Sequence, residues 1–367
     1  MKKKYLGICA GSILIFTTSV IFFGCGTSKP DAIGDDDKII VIADSVQYEE
    51  LESTFLQVFS KIIYTPQPEK LFELNRRNLR DLDRLKRRKN IIITAPLDSD
   101  SDVAKYIRSL LDLNVASLVR KDSVFVMNKY DMWAKSQLVM VLTSPTTDQL
   151  RQNMLKDNEN LLYYFRNISN KRLFASLYNP RYERKDVEAQ LLDSYGWIIY
   201  VQADFQLALN KPENKFVWLR RSPGTDMERW IFVHWIDNST PEFLNPDSIA
   251  SERNKLTREY YRSVDDQSYV EIADDYKTTS EENFLGKYAL MTEGLWRMND
   301  KSMGGPFINY TFYDEATRRI YMLDGSIFAP KYYKKKLIQQ VDVMLKSFKT
   351  KNELSEDKID DLMDELN

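Results

Sequence analysis

Apolar and polar positions along the chain fall into a few recurring rhythms. Ile39 to Ala43 is a compact run rich in isoleucine and valine, and after Asp44 and Ser45 an amphipathic stretch from Tyr48 to Ser60 sets Leu51, Phe55, Val58 and Phe59 on one face. A short unbroken apolar run suits a buried strand and a 3.6-residue period suits a helix, so this segment predicts a strand leading into a helix. Ile62 to Glu69 carries Pro66 and Pro68, which confine it to an edge or a turn-broken strand. Asn90 to Pro96 repeats the buried-strand pattern, Val103 to Leu113 reads as helix, Ser123 to Tyr130 and Gln137 to Thr143 as strands, and Thr146 to Phe165 as a long helix.

After Asn179-Pro180 the pattern restarts. Helical Val187 to Tyr195 leads to Ile198-Ile199-Tyr200, which matches Ile62-Ile63-Tyr64, and Lys215 to Arg220 answers Asn90 to Pro96. The helix from Pro246 to Tyr261 answers Val103 to Leu113, and Ile320 to Pro330 with its following helix answers Gln137 to Phe165. These parallels predict an α+β protein built from two similar mixed α/β halves, residues 39–178 and 179–350, as an internal duplication with antiparallel sheets flanked by helices. A helix from Lys331 to Phe348 closes the second half. The acidic stretch 351–367 spaces Leu354, Ile359, Leu362, Met363 and Leu366 helically, and is either an amphipathic helix for a partner groove or a frayed tail.

The start of the chain follows a different pattern. Lys2, Lys3 and Lys4 precede an apolar run from Tyr5 to Phe23 that ends in Gly24 and Cys25. A positive head, an apolar middle and a small residue at the cut make a secretory signal peptide over residues 1–24, and a cysteine just after the cut resembles bacterial lipoprotein signals. Cys25 is then the lipidated residue, and residues 25–38 form a small, polar, acidic tether to an outer-membrane anchor. The alternative is an uncleaved transmembrane helix, but such a helix has no need of Gly-Cys at its end. Asp35, Asp36 and Asp37 resemble the acidic signal that sends some lipoproteins to the cell surface, yet they lie further from Cys25 than that signal does. The periplasm-facing side is therefore expected.

Composition narrows the function. A hydrophobic share of 43% with 29% charged residues describes a folded chain, and a net charge of −2 lacks the concentrated positive excess of a nucleic-acid binder. Cleavage removes Cys9 and lipidation consumes Cys25, so thiol nucleophiles and thiolate metal sites are excluded. The single histidine, His234, lies in the strand-like run Trp230 to Ile236, and reads as a packed sheet residue in preference to a catalytic base. No cofactor or metal is implied; Asp98-Ser99-Asp100-Ser101-Asp102 lacks the glycine and glutamate of a calcium loop and reads as helix capping. Arg76 to Lys89, with eight basic residues around Leu79, Leu82 and Leu85, could meet acidic lipid headgroups, though a solvated helix with Asp81 and Asp83 paired to neighbours is preferred.

The most distinctive string runs from Gly294 to Phe307. With Tyr288 to Thr292, Asp324 to Pro330, Lys334 to Lys336, Tyr64 to Glu69 and Phe216 to Arg220, it resembles an uncharacterised lipoprotein family of Bacteroidetes catalogued only as a domain of unknown function. The resemblance implies an envelope lipoprotein and brings no established activity. Gly304-Gly305-Pro306 reads as a tight turn, with Trp296 and Arg297 beside it as a stacking and polar shelf for a glycan. Glu293 and Asp300 form the one candidate carboxylate pair for glycoside hydrolysis. The expected function is a non-enzymatic binding or assembly component with an envelope protein partner; the alternative is a carboxylate-dependent glycoside hydrolase or a glycan-binding lipoprotein.

Overall fold

A computed structural model describes residues 29–65 and 67–366. The expected signal peptide, residues 1–24, and the expected lipidation site Cys25 lie outside the described residues. Among those described, no helix is long and apolar enough to cross a membrane.

The first domain runs through β1 (Lys38–Ile42), α1 (Ser45–Phe59), a hairpin of β2 (Ile62–Tyr64) and β3 (Pro68–Lys70), β4 (Glu73–Arg77), α2 (Leu82–Leu85), β5 (Asn90–Thr94), α3 (Asp102–Leu110), α4 (Leu113–Arg120), β6 (Val126–Tyr130), β7 (Leu138–Leu142), α5 (Thr147–Lys156) and α6 (Asn158–Leu177). Its main sheet has the order β4-β1-β5-β7-β6, parallel throughout except for β6 at the edge. Helices cover both faces. Ile39, Val41, Ile92 and Met140 pack with α1, α5 and α6, while Ile40, Ile91, Ile93 and Val139 pack with α3 and α4. That two-sided burial is why β1, β5 and β7 read as unbroken apolar runs with no alternation. Helix α3 starts at Ser101, whose side chain accepts from the Ala104 amide, so the Asp98–Asp102 stretch does serve capping.

The second domain comprises α7 (Lys185–Tyr195), β8 (Trp197–Ile198), β9 (Phe205–Lys211), β10 (Phe216–Arg221), β11 (Glu228–Ile236), α8 (Pro246–Tyr260), β12 (Val270–Phe284), β13 (Lys287–Met298), β14 (Gly304–Asp314), β15 (Arg319–Phe328), α9 (Lys335–Leu345), β16 (Lys349–Thr350) and α10 (Glu356–Met363). Seven strands form one antiparallel sheet, β12-β13-β14-β15-β11-β10-β9. One face carries Val217, Ile231, Tyr310 and Leu323 against α7 and α9; the other carries Trp230, Trp296 and Phe307 against α8. A charge pair is sealed beneath α8. Arg253 Nε donates to Asp324 Oδ2 at 2.6 Å, both side chains are fully buried, and Asn309 and Ser326 complete the network.

The α+β class holds, with an antiparallel sheet flanked by helices in the second domain. The duplication does not. Asn90–Thr94 is a central parallel strand whereas Phe216–Arg221 lies in an antiparallel sheet, and the two strand orders are unrelated. The matching rhythms report element type only, because apolar spacing does not encode which strand pairs with which.

The domains share a bonded interface. Glu69, nearly buried at the β2–β3 hairpin, accepts from the backbone amides of Lys334 and Lys335 at 2.8 and 3.1 Å, so a carboxylate of one domain caps α9 of the other. Gln339 of α9 donates to Ser169 and Asn170 of α6. Two strings that carried the family resemblance, Tyr64 to Glu69 and Lys334 to Lys336, thus meet at this interface.

Two expectations about the ends of the described chain are corrected. The segment read as a tether is fastened from Pro30 onward: the Lys135 amide donates to Pro30 O, the Ala32 amide to Lys135 O, and the Ile33 amide to Arg87 O. Asp35, Asp36 and Asp37 pair with Lys38, with Lys89 and Arg172, and with Lys335 and Lys336. The acidic end is not a frayed tail either, since α10 packs Leu362 against Ala189, Leu192 and Ile198. The basic stretch Arg76–Lys89 is a strand end, a 3-10 turn and the short α2, with Arg84 on Asp81 and Lys86 on Asp83.

Candidate functional site

The residues singled out around Gly294–Phe307 do not assemble into a catalytic or glycan-binding shelf. Glu293 lies on β13 open to solvent, near Arg166 of α6 and Asp342 and Lys346 of α9. Asp300 sits beyond the far end of β13, where it accepts from the Ser302 hydroxyl, the Ser302 amide and Ser268, bonds that hold its carboxyl below the usual range. The strand from Glu293 to Met298 alone spans about 16 Å at 3.3 Å per residue, well past the roughly 5 to 9.5 Å that a glycosidase pair requires. The pair is therefore not a catalytic pair.

Trp296 is 1% exposed, with its indole Nε1 donating to Ile327 O at 3.2 Å, so it offers no face to a sugar. Arg297 binds Glu271 at 3.0 Å and not Glu293. Gly304 and Gly305 begin strand β14; the turn lies just before them. A Cβ on Gly305 would run into the Ile327 carbonyl oxygen and approach Trp296 Nε1 to 3.2 Å, while one on Gly304 would come within 2.9 Å of Trp296 O. These glycines let β14 close over the tryptophan. His234 is packed in β11 as its sequence position suggested, with Nδ1 2.9 Å from Lys215 O, and burial lowers its pKa.

Polar groups converge elsewhere, beneath the C-terminal helix. A pocket of about 400 Å3 lies between the start of the second domain and α10, with Tyr178, Glu183, Lys185, Ser347, Lys358 and Asp361 in its wall. Its base is built from α7. The Arg184 amide donates to Val201 O and Glu183 bridges to Gln202, which lays the start of α7 along the segment after β8. One turn further in, Glu188 is fully buried, and its Oε1 accepts from the Val201 amide at 2.9 Å while Oε2 has no hydrogen-bond partner.

Lys358 of α10 closes the arrangement. Its ammonium lies 3.0 Å from Glu183, 4.0 Å from Glu188 and 3.8 Å from Asp361, and Lys185 reaches Asp361 at 2.8 Å. Burial is the main cause that pushes the Glu188 carboxyl up to about 8; Glu183 adds to the rise, and the Val201 amide and Lys358 oppose it. At neutral pH Glu188 therefore carries its proton more often than not. The rings of Tyr178 and Tyr200 stack at 3.9 Å beside it, and burial raises the Tyr178 phenol. A neutral acid sealed under an ion-paired lysine is well placed to lock α10 onto α7. Lys185, Lys358 and Tyr178 are what a molecule in the pocket would meet.

The sequence carried only a faint signal for this site. Glu188 falls among the apolar positions of α7, between Val187, Ala189, Leu191 and Leu192, where a carboxylate is out of place. Its partner Lys358 lies 170 residues on in a stretch that reads as a charged tail.

No curated protein matches the chain. Among solved structures, the 1.9 Å crystal structure of the Saccharomyces cerevisiae Ran-binding protein Mog1p is similar at 11% identity and a TM-score of 0.28, covering 42% of this chain and 90% of that one, too slight a likeness to carry anything over. The family likeness expected along the whole chain resolves into two models that divide it between its domains: residues 32–177 match a domain of unknown function, DUF8532, and residues 183–347 match another, DUF4837.

Proposed function

We propose that this protein is a lipid-anchored, non-enzymatic binding or assembly component of the cell envelope, held through Cys25 on the periplasmic side of the outer membrane. The observation that carries this reading is the fastening of the N-terminal segment: main-chain bonds tie it to the body from Pro30, five positions after Cys25, so a lipid there would hold a two-domain body close to the membrane. The aspartates at 35–37 are engaged in pairs with the fold, which favours the periplasmic side over an export signal read by other proteins. The lysines at the α7–α10 pocket are held in ion pairs with Glu183 and Asp361, a fixed polar surface that suits binding.

Membrane fractionation with Cys25→Ala tests the anchor: the protein is expected to leave the membrane pellet on a high-salt wash that leaves the parent in place, and persistence there overturns the lipid reading. Mild-detergent purification followed by mass spectrometry tests assembly. A stoichiometric companion is expected, and a protein that emerges alone removes the assembly reading.

A further inference from the structure

Three pieces of chain meet at the end of the first-domain sheet where β1, β5 and β7 begin. They are the fastened segment 29–37, the turn into β5, and the β6–β7 turn, joined by bridges between Asp31 and Lys135 and between Ile33 and Arg88. Arg172 of α6 staples them: its guanidinium, only 6% exposed, donates to Ser136 O, Lys89 O, Asn90 and Asp36. The platform is thereby rigid. On it stand four exposed cations, Lys29, Arg87, Arg88 and Lys135. Lys29 and Arg87 donate only to the backbone carbonyls of Asp131 and Asp31, and among the described residues none of the four has a carboxylate partner. Arg84 and Lys86 of the same basic stretch differ, being paired with Asp81 and Asp83.

The length of chain between the anchor and this platform selects its occupant. Four residues from Cys25 to Lys29 reach at most about 14 Å when fully extended. The potential of an anionic leaflet falls off over a Debye length of about 8 Å at physiological salt. A body tethered so briefly has this end within or beside that field. Asp31 and Asp131 share the platform and reduce its net charge, but Asp131 accepts from the Gln137 amide, inside the turn. Tyr130, half exposed at the end of β6, and Trp133, partly buried with Lys86 over its ring at 5.8 Å, supply the amphipathic rings that suit a headgroup layer.

We infer that this end of the first domain is a membrane-apposition face, on which Lys29, Arg87, Arg88 and Lys135 engage anionic phospholipid headgroups of the leaflet that holds the anchor. The inference rests on the lipid-anchor reading for its orientation, yet it is measured without the lipid. The mature chain with Cys25→Ala is mixed with vesicles of phosphatidylcholine alone or with one third phosphatidylglycerol, and the bound fraction is read by sedimentation across a salt series. Binding is expected on the anionic vesicles, weakening as salt rises. Each lysine or arginine near such a surface contributes roughly fivefold in partitioning, so the triple variant Arg87→Gln, Arg88→Gln, Lys135→Gln should lose on the order of a hundredfold. The exposed triple Lys105→Gln, Lys255→Gln, Lys331→Gln, placed elsewhere on the body, should lose little. Equal binding to both vesicle types, or equal losses in the two triples, overturns the face. Persistence of Cys25→Ala in membranes washed at high salt would instead strike the anchor alone.

Discussion

Glu188 makes the stability of this protein fall as pH rises, with a size that the structure sets. Its carboxyl has an ordinary value of 4.5 and is pushed up to about 8 in the folded chain, first by burial and then by Glu183. Because the folded-state value lies above the unfolded one, the neutral acid's contribution is fully present below pH 4.5 and is lost progressively as pH climbs to 8. At 1.36 kcal/mol per unit the gap amounts to roughly 3 to 5 kcal/mol, the spread reflecting the coupling to Glu183. Lys358 and Asp361 of α10, and Tyr178 and Tyr200 at the stack, complete the titratable groups facing it. Glu188→Gln keeps an acceptor for the Val201 amide and removes the titration. Chemical denaturation from pH 5 to 8.5 should show the two proteins close at pH 5 and the variant more stable by a few kcal/mol at pH 8.5, with α10 detaching first in hydrogen exchange of the parent. Parallel stability profiles across that range would refute a neutral, buried Glu188.

Two further substitutions probe the second domain. Gly305→Ala sets a methyl against the Ile327 carbonyl, main chain inside the sheet that cannot yield, whereas Gly325→Ala meets the buried, β-branched Val341 on α9, which gives only if the helix shifts off the sheet; losses of at least about 3 kcal/mol and about 1 to 3 kcal/mol are expected in denaturant melts, and the reverse order would be wrong for this packing. Arg253→Met strands the Asp324 carboxylate beneath α8 and should cost about 3 to 5 kcal/mol, while Arg253→Met with Asp324→Asn should cost clearly less; equal losses would mean the charge is not what is being stranded.

What the sequence made legible was local. Ile39 to Ala43, Asn90 to Pro96 and the face of Leu51, Phe55 and Val58 yield β1, β5 and α1, because a helix-covered parallel sheet demands unbroken apolar runs and a one-sided helix demands a 3.6 period. Partnership was not legible. Ile62-Ile63-Tyr64 and Ile198-Ile199-Tyr200 look alike, yet the first pairs with β3 in a small hairpin and the second supplies Ile198 to β8, which pairs with β16 about 150 residues later. Trp296 misled for a related reason. Beside two glycines and a proline it resembles an exposed platform, but those glycines remove the side chains that would otherwise keep β14 off it, and so they are what buries it.

The tether shows the limit of composition most directly. From Gly26 to Asp37 the residues are mostly small, polar and acidic, with Ile33 the one large apolar side chain to offset the entropy of ordering, which is the ordinary signature of a linker. Main-chain groups bear no such signature. Pro30 O, the Ala32 amide and the Ile33 amide find partners at Lys135 and Arg87, the Lys89 amide finds Ile33 O, and these bonds are invisible to any reading of side-chain type. The acidic side chains then act as counter-ions to Lys89, Arg172 and Lys335, cations drawn from the turn before β5, from α6 and from the start of α9. One eight-residue stretch therefore joins the first-domain sheet, α6 and the second domain's α9. Lengthening the chain between Cys25 and Lys29 should accordingly leave the fold unchanged while moving its charged end away from the anchor.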